Sequence, residues 1–202
     1  MGLTYRQTMP VLSDHFRSGQ YQFDGGGLQA LCFANIAVIL LNQSEVGRSL
    51  IKALSAEKGF MLTEYGCAEG DSTAYMYMLF PNLNITGIDL SPEAIRNANT
   101  RWPTIHFEEG SWDDPWRKSH FIFMSHCLQQ MDNPAETIKG LLPHCAYLIA
   151  TTVPWDDDSW LEDLPVEAVS DIAETRRPVV FGPQPDTVLV EHSRLIILRG
   201  EL

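Results

Sequence analysis

The sequence predicts an α/β protein whose mostly parallel sheet is covered by helices on both faces. Three observations predict it. Short apolar runs recur at residues 60–65, 84–88, 104–107, 121–125 and 146–153, and helix-like stretches separate them, which is the alternation of β-α-β units. Helix starts fall between the runs: Ser91 stands before Pro92, and Asn133 before Pro134 with Glu136 close behind, each an N-cap side chain followed by a proline suited to the first helical position. The first run leads directly into "TEYGCAEGDS", residues 63–72, a turn carrying an acid and two glycines. With 202 residues and 45% hydrophobic side chains, one core is expected, and the chain is read as a single domain over 1–202.

Taken in order, the first residues are mixed and aromatic (Tyr5, Phe16, Tyr21, Phe23) and end in Asp24-Gly25-Gly26-Gly27, a joint with little backbone restriction. Residues 1–27 are therefore expected to move and to order over a bound ligand. "LCFANIAVILL", residues 31–41, reads as a packed helix, interrupted by Asn35 and well short of the roughly 18 apolar residues that cross a bilayer. A second helix is expected over 44–58, where Val46, Leu50, Ile51 and Leu54 recur at helical spacing and Gly59 follows as a stop. These elements make 1–57 a helical cap and 58–202 the ligand-binding core. Ser159 and Glu162 mark another helix start at capping-box spacing. After Arg176-Arg177-Pro178, "TVLVEHSRLIILRG" reads as two apolar runs about a short polar turn, an antiparallel hairpin that closes the sheet.

A net charge of −12 and a pI near 4.8 argue against binding nucleic acid, because there is no basic stripe to displace counterions from phosphates. The four cysteines, Cys32, Cys67, Cys127 and Cys145, form no C-x-x-C pair and read as buried thiols of a reducing compartment. No secretory leader opens the sequence, and Arg6 stands where a myristoylation signal needs Ser or Thr; the expectation is a cytoplasmic protein without membrane attachment. Cysteine and histidine spacings suggest no metal site.

The turn itself fails the dinucleotide pattern, which needs glycine at 66, 68 and 71 where the chain has Gly66, Ala68 and Asp71. A nicotinamide oxidoreductase is disfavoured on that ground. Glu64 and Glu69 set negative charge beside the turn, which suits an ammonium or sulfonium group better than a pyrophosphate. About 20 residues further on, Asp89 ends the second apolar run, where Rossmann-like folds carry the acid that takes both ribose hydroxyls.

"EYGCAEG", residues 64–70, resembles motif I of the class I S-adenosylmethionine (SAM)-dependent methyltransferases, E/D-x-G-x-G-x-G, with Ala68 at the middle glycine. "GIDLSPEAI" resembles that family's second strand and helix start, "IHFEEGSWDD" its third strand and adenine loop, and "YLIATTVP" its fifth strand. "HFIFMSHCLQQMDNP" resembles its fourth strand and exit, with His126 and Leu128 in register but His120 and Gln130 where the family often has aspartate and histidine. The resemblance covers roughly residues 60–155. It implies a Rossmann-like class I methyltransferase fold with seven strands, the last antiparallel, and SAM as cofactor, leaving S-adenosylhomocysteine.

By that resemblance Glu64 supports the turn and the methionine amine, and Gly66, Cys67, Ala68 and Gly70 line the methionine and ribose side. Asp89 holds the ribose, and Leu90 lies against adenine. Ser111 and Trp112 fall in the adenine loop, where Asp113 is the nearest acid and Trp112 either stacks on adenine or packs in the core. Ser125 and His126 sit at the carboxyl end of a parallel strand, where open α/β sheets bind ligands. His126 is either a general base for the acceptor or a structural histidine. His106 and His120, inside strand runs, are read as structural. Trp155, Trp160 and the acids 156–158 form either a solvated loop or a wall that selects a cationic acceptor. The expected function is methyl transfer to a small-molecule O- or N-nucleophile; the alternative is a catalytically silent SAM-binding module acting through a partner protein. The sequence leaves the oligomeric state open, a homodimer included.

Overall fold

The computed structural model of the protein describes residues 37, 41–56, 58–112, 118–152, 159–172, 175–179, 186–190 and 193–202. The proposed cover 1–27, Cys32, Asp113 and the loop 153–158 lie outside the described residues. Of the helix expected over 31–41, Ala37 and Leu41 are described, and both are fully buried.

The first complete element is helix α1 (Glu45–Ala56), which starts where the Ser44 hydroxyl accepts the Gly47 amide at 2.9 Å. It buries the stripe of Leu50 and Leu54, with Val46 and Ile51 partly covered beside them. Then come β1 (Met61–Tyr65), α2 (Asp71–Leu79), β2 (Asn84–Asp89), α3 (Pro92–Arg101), β3 (His106–Glu109) and β4 (Ser119–Ser125). Helix α4 (Pro134–Leu141) and β5 (Cys145–Thr152) follow, and finally β6 (Val166–Ile172), β7 (Thr175–Val179), β8 (Asp186–Val190) and β9 (Ser193–Arg199). The caps behave as their chemistry demands: Ser91 accepts from the Ala94 amide at 3.2 Å and Asn133 from the Glu136 amide at 3.3 Å, each ahead of its proline. The start expected at Ser159 yields only a single 3-10 turn, Ser159–Leu161.

Seven strands form one sheet in the order β3-β2-β1-β4-β5-β9-β6. The first five are parallel, and β9 runs antiparallel to both of its neighbours. Alternate residues of β4 enter opposite layers, Phe121 and Phe123 towards α1 and α2, Ile122 and Met124 towards α4. Each such side chain fully buried contributes about 1.5–3 kcal/mol.

The hairpin expected between 187–190 and 193–198 is not formed. Strand β8 pairs back on β7, and β9 inserts between β5 and β6. The reason is burial: Leu195, Ile196, Ile197 and Leu198 are all 0% exposed, so both faces of β9 need cover that an interior strand has and an edge strand lacks. The β6/β9 ladder ends at Ile172 opposite Ser193, and the β7/β8 ladder begins at Thr175 opposite Val190, the same step along both strands; the two ladders therefore share one register.

Candidate functional site

Because β1 to β5 are parallel, their carboxyl ends share one edge, and the strand order reverses between β1 and β4. Open α/β sheets bind ligands at that switch point. Two exit loops meet there. After β1 the chain turns through Gly66 at φ 73°, and the Gly66 and Cys67 amides both donate to the Ile88 carbonyl of β2, at 2.9 and 3.1 Å. A Cβ on Gly66 would stand 3.0 Å from the Cys127 Cβ, and the Cys127 thiol donates to the Tyr65 carbonyl at 3.5 Å. The loops after β1 and β4 are thus in direct contact.

Glu64 is fully buried and accepts from the Ser72 and Thr73 hydroxyls in the first turn of α2, both at 2.5 Å. It ties the strand to the helix that the turn launches. Burial raises its carboxyl pKa to about 7, the two hydroxyls pull the other way, and the charge on Asp89 adds to the rise. Asp89 is gripped on both oxygens: the Ala68 amide donates to Oδ2 and the Ser91 amide to Oδ1, each at 2.9 Å. Burial raises its pKa, and these backbone donors oppose the shift. The Gly110 amide donates to the Asp89 carbonyl at 3.0 Å, which brings the loop after β3 to the same edge. Leu90, Ser111 and Trp112 are half-buried there, and Trp112 packs against the layer that contains Tyr65, Ile88 and Cys127.

At the end of β4 the Ser125 hydroxyl is buried and has no hydrogen-bond partner among the described residues. His126, 8% exposed, has a left-handed backbone at φ 51°. Its amide donates to the Thr151 carbonyl at 2.9 Å, and its Nδ1 pairs with the Thr151 hydroxyl at 3.0 Å. Burial pulls the imidazole pKa down to about 4. An imidazole titrating near neutrality, which a general base at pH 7 would want, is therefore not what this environment produces.

Two expectations change. Glu69 lends no free charge to the turn, because Arg101 reaches its carboxylate at 2.9 Å and Asn97 donates to the other oxygen at 3.0 Å; Arg101 also bridges both oxygens of Asp71. Gly70 has a reason to be glycine apart from any ligand: at φ 81°, an added Cβ would lie 2.5 Å from the Phe107 ring and 3.1 Å from Trp102. Ala68, the other departure from the glycine pattern, has φ 49° and so occupies the left-handed region with a side chain.

All ten positions singled out as cofactor-binding, and His126, lie on β1 to β5 or the loops at their carboxyl ends. Four supporting residues were not singled out. Ser72 and Thr73 could have been found as hydroxyls in the first turn of the helix that follows the strand carrying a buried acid, whereas nothing local marks Thr151 or Phe107. His120, by contrast, is structural as expected, accepting the Met61 amide at 3.1 Å and stacking on Phe60. Half-buried Trp160 packs against the α4 layer. Among the described residues no three His, Cys, Asp or Glu side chains are grouped to hold a metal, and no helix is long and apolar enough to cross a membrane.

Strand order, glycine turn and strand-end acid define a Rossmann-like α/β protein whose ligand edge lies at the β1/β4 switch. A sequence-family model described as a methyltransferase domain matches residues 41–177, and the chain belongs to that family, with the class I fold. It is similar to the trans-aconitate 2-methyltransferase of Escherichia coli strain S88, 32% identical over 122 residues, which are 56% of this chain and 45% of that enzyme. The chain thus matches a little under half the length of these curated relatives. Among solved structures it is similar to magnesium protoporphyrin IX methyltransferase from Synechocystis PCC 6803 with bound SAM (TM-score 0.58, 12% identity, 99% of both chains). It is also similar to the plantazolicin methyltransferase BpumL in complex with SAH (TM-score 0.55, 17% identity, 96% of this chain and 94% of that one). At such identities the likeness is one of fold.

Proposed function

We propose that this protein binds SAM at the β1/β4 switch and transfers its methyl group to a small-molecule O- or N-nucleophile. One observation carries the reading: the Asp89 carboxylate stands at the end of β2 with both oxygens aligned by the Ala68 and Ser91 amides. Each oxygen keeps a lone pair, so the pair matches the two vicinal hydroxyls of a ribose. The residues fit the cofactor in two further ways. Glu64, whose carboxyl is raised to about 7, can become anionic beside the cofactor's cationic end, and Ser125 offers a buried hydroxyl with no protein partner among the described residues.

When bound, SAM supplies a methyl group already activated on a sulfonium. The chain's task is then to orient and to exclude water. Asp89 fixes the ribose end, and Glu64 braces the turn through Ser72 and Thr73. A cation beside Glu64 favours its ionised form. Gly66, Cys67, Ala68 and Gly70 supply the turn, while Leu90, Ser111 and Trp112 are read as the adenine wall. His126 is neutral at pH 7.

A small acceptor is favoured by the charge of −12, which suits no nucleic acid. Three buried free thiols, Cys67, Cys127 and Cys145, favour a reducing, cytoplasmic setting. We read 1–202 as one unit, because α1 packs in the same core cluster as Leu62 of β1 and Phe123 of β4.

The test is calorimetry with S-adenosylhomocysteine, followed by turnover of SAM in a metabolite mixture, with trans-aconitate, the substrate in the relatives' name, as the first single acceptor. Binding with product formation supports the enzyme. Binding without turnover of any acceptor returns the protein to a silent SAM-binding module, and no binding overturns the cofactor.

A further inference from the structure

We propose that the free edge formed by β6 and β7 is a homodimer interface, on which a second copy of this chain lies antiparallel, with its β6 beside β7 of the first. The cofactor reading leaves this part of the fold unused, and the two stand or fall separately.

The backbone gives the first argument. Strand β6 closes the seven-stranded sheet at one side, and among the described residues β9 is its one strand neighbour. Strand β7 pairs with β8 in a separate two-stranded sheet that continues the same register, so β6 and β7 form one side of a long hairpin. The Gly200 amide bonds the Ala146 carbonyl at 2.8 Å, which sets even-numbered residues of β9 towards β5 and odd-numbered ones towards β6. Ser170 and Ile172, opposite Leu195 and Ser193, therefore turn their amides inward, and Val169 and Asp171 turn theirs to the free edge. Such a row of backbone groups is a template for another strand. Val169 is also 44% exposed, an apolar side chain at that edge. A two-stranded ribbon is marginally stable by itself, so β7 and β8 gain from a further strand as well.

Charge names the occupant. From residue 140 to 175 the chain has eight acids and no lysine or arginine, and then Arg176 and Arg177 follow in β7. Strand β6 thus lies in an acidic stretch, with Glu167 and Asp171, while β7 carries two bases. Within one chain Glu167 reaches Arg199 at 3.8 Å and Asp171 stands opposite Arg194, whereas Arg176 and Arg177 stand opposite the uncharged Leu189 and Val188. A copy of this edge running antiparallel about a two-fold axis places β7 of each chain beside β6 of the other, so bases meet acids twice. Two copies running in the same direction would set acid against acid and base against base. The edge is also bounded, by the bulge between Val166 and Ala168 at one end and by Pro178, which has no amide hydrogen, at the other. A two-fold contact uses the edge of each copy once, so the assembly closes at two chains.

The experiment is sedimentation of the full chain, without cofactor, from about 1 to about 100 µM, the range suited to an interface at the small end of the size scale. The wild-type mass should rise with concentration to twice 22.7 kDa and no further. Val169→Pro removes an amide that faces the free edge and keeps the ladder to β9, so this variant should stay folded by circular dichroism and remain a monomer. Arg176→Glu/Arg177→Glu should weaken association by about tenfold or more, and adding Glu167→Arg/Asp171→Arg, which reverses both sides, should restore it. A wild-type mass of one chain at every concentration overturns the proposal and leaves the edge to solvent or to another segment of the chain. A dimer that survives Val169→Pro overturns it too, because the contact then lies elsewhere, and so does one indifferent to the arginine reversal. If Val169→Pro or the fourfold variant does not fold, the wild type and the arginine reversal decide.

Discussion

The Ala68 amide donates to Asp89 Oδ2 across 2.9 Å, so the residue in the left-handed conformation and the acid at the end of β2 form one unit. The bond aims a carboxylate oxygen, and it also requires the backbone to take a shape that alanine resists.

Ala68→Gly should therefore stabilise the protein by roughly 0.5–1 kcal/mol, the steric relief at φ 49° outweighing the larger backbone entropy of glycine. Urea unfolding would register this as a higher midpoint at constant slope. An unchanged or lower midpoint would mean that the left-handed turn stores no strain.

Asp89→Asn should weaken S-adenosylhomocysteine binding by roughly 1.5–3 kcal/mol, because one oxygen of a charge-assisted bidentate acceptor is replaced by a donor that also faces a backbone N–H. Calorimetry measures it. Wild-type affinity in a folded variant would remove Asp89 from the ribose.

Glu64 makes the folded protein sensitive to pH. Its carboxyl is raised from 4.5 to about 7, so the folded state keeps a proton that the unfolded chain releases earlier. The contribution is full below about pH 4.5 and is lost as pH rises through about 7. Glu64→Gln should shrink the stability difference between pH 5 and pH 8 by on the order of 2–3 kcal/mol. Parallel pH dependences in the two proteins would contradict the shift.

Gly70→Ala should cost roughly 2–4 kcal/mol, from an unfavourable φ of 81° and from overlap with the Phe107 ring at 2.5 Å. Shortening the ring in Gly70→Ala/Phe107→Leu should recover part of that loss. No recovery in denaturant melts would place the whole cost in the backbone.

The parallel half of the sheet was legible because its signals are local. Ser91-Pro92 and Asn133-Pro134 announce helices, and the apolar runs between them have nowhere to go but a covered sheet. Glu64, Gly66 and Asp89 were legible for the same reason, as strand ends set by turn chemistry. What could not be read depends on partners far away in sequence. Strand β9 pairs with residues of β5 and β6 rather than with the run beside it, and only its burial on both faces reveals that. The clamp of Thr151 on His126 and the Phe107 ring over Gly70 are likewise tertiary, and the low imidazole pKa follows from burial that no spacing encodes.

The insertion of β9 between β5 and β6 also bears on the order of assembly. Strand β6 precedes β9 in the chain yet has no place in the sheet until β9 arrives, so the two must pair with each other before, or together with, docking on β5. Their shared register with β7 and β8 favours a zipper that closes as one piece from the distal ladder inward. The hypothesis has a direct readout in pulsed hydrogen exchange during refolding: the amide of Ser170, which faces Leu195 of β9, and the amide of Ile196, which faces Ala150 of β5, should gain protection in the same kinetic phase. Protection of Ile196 with β5 while Ser170 still exchanges would mean that the strands are added singly, with the lone antiparallel one going in first.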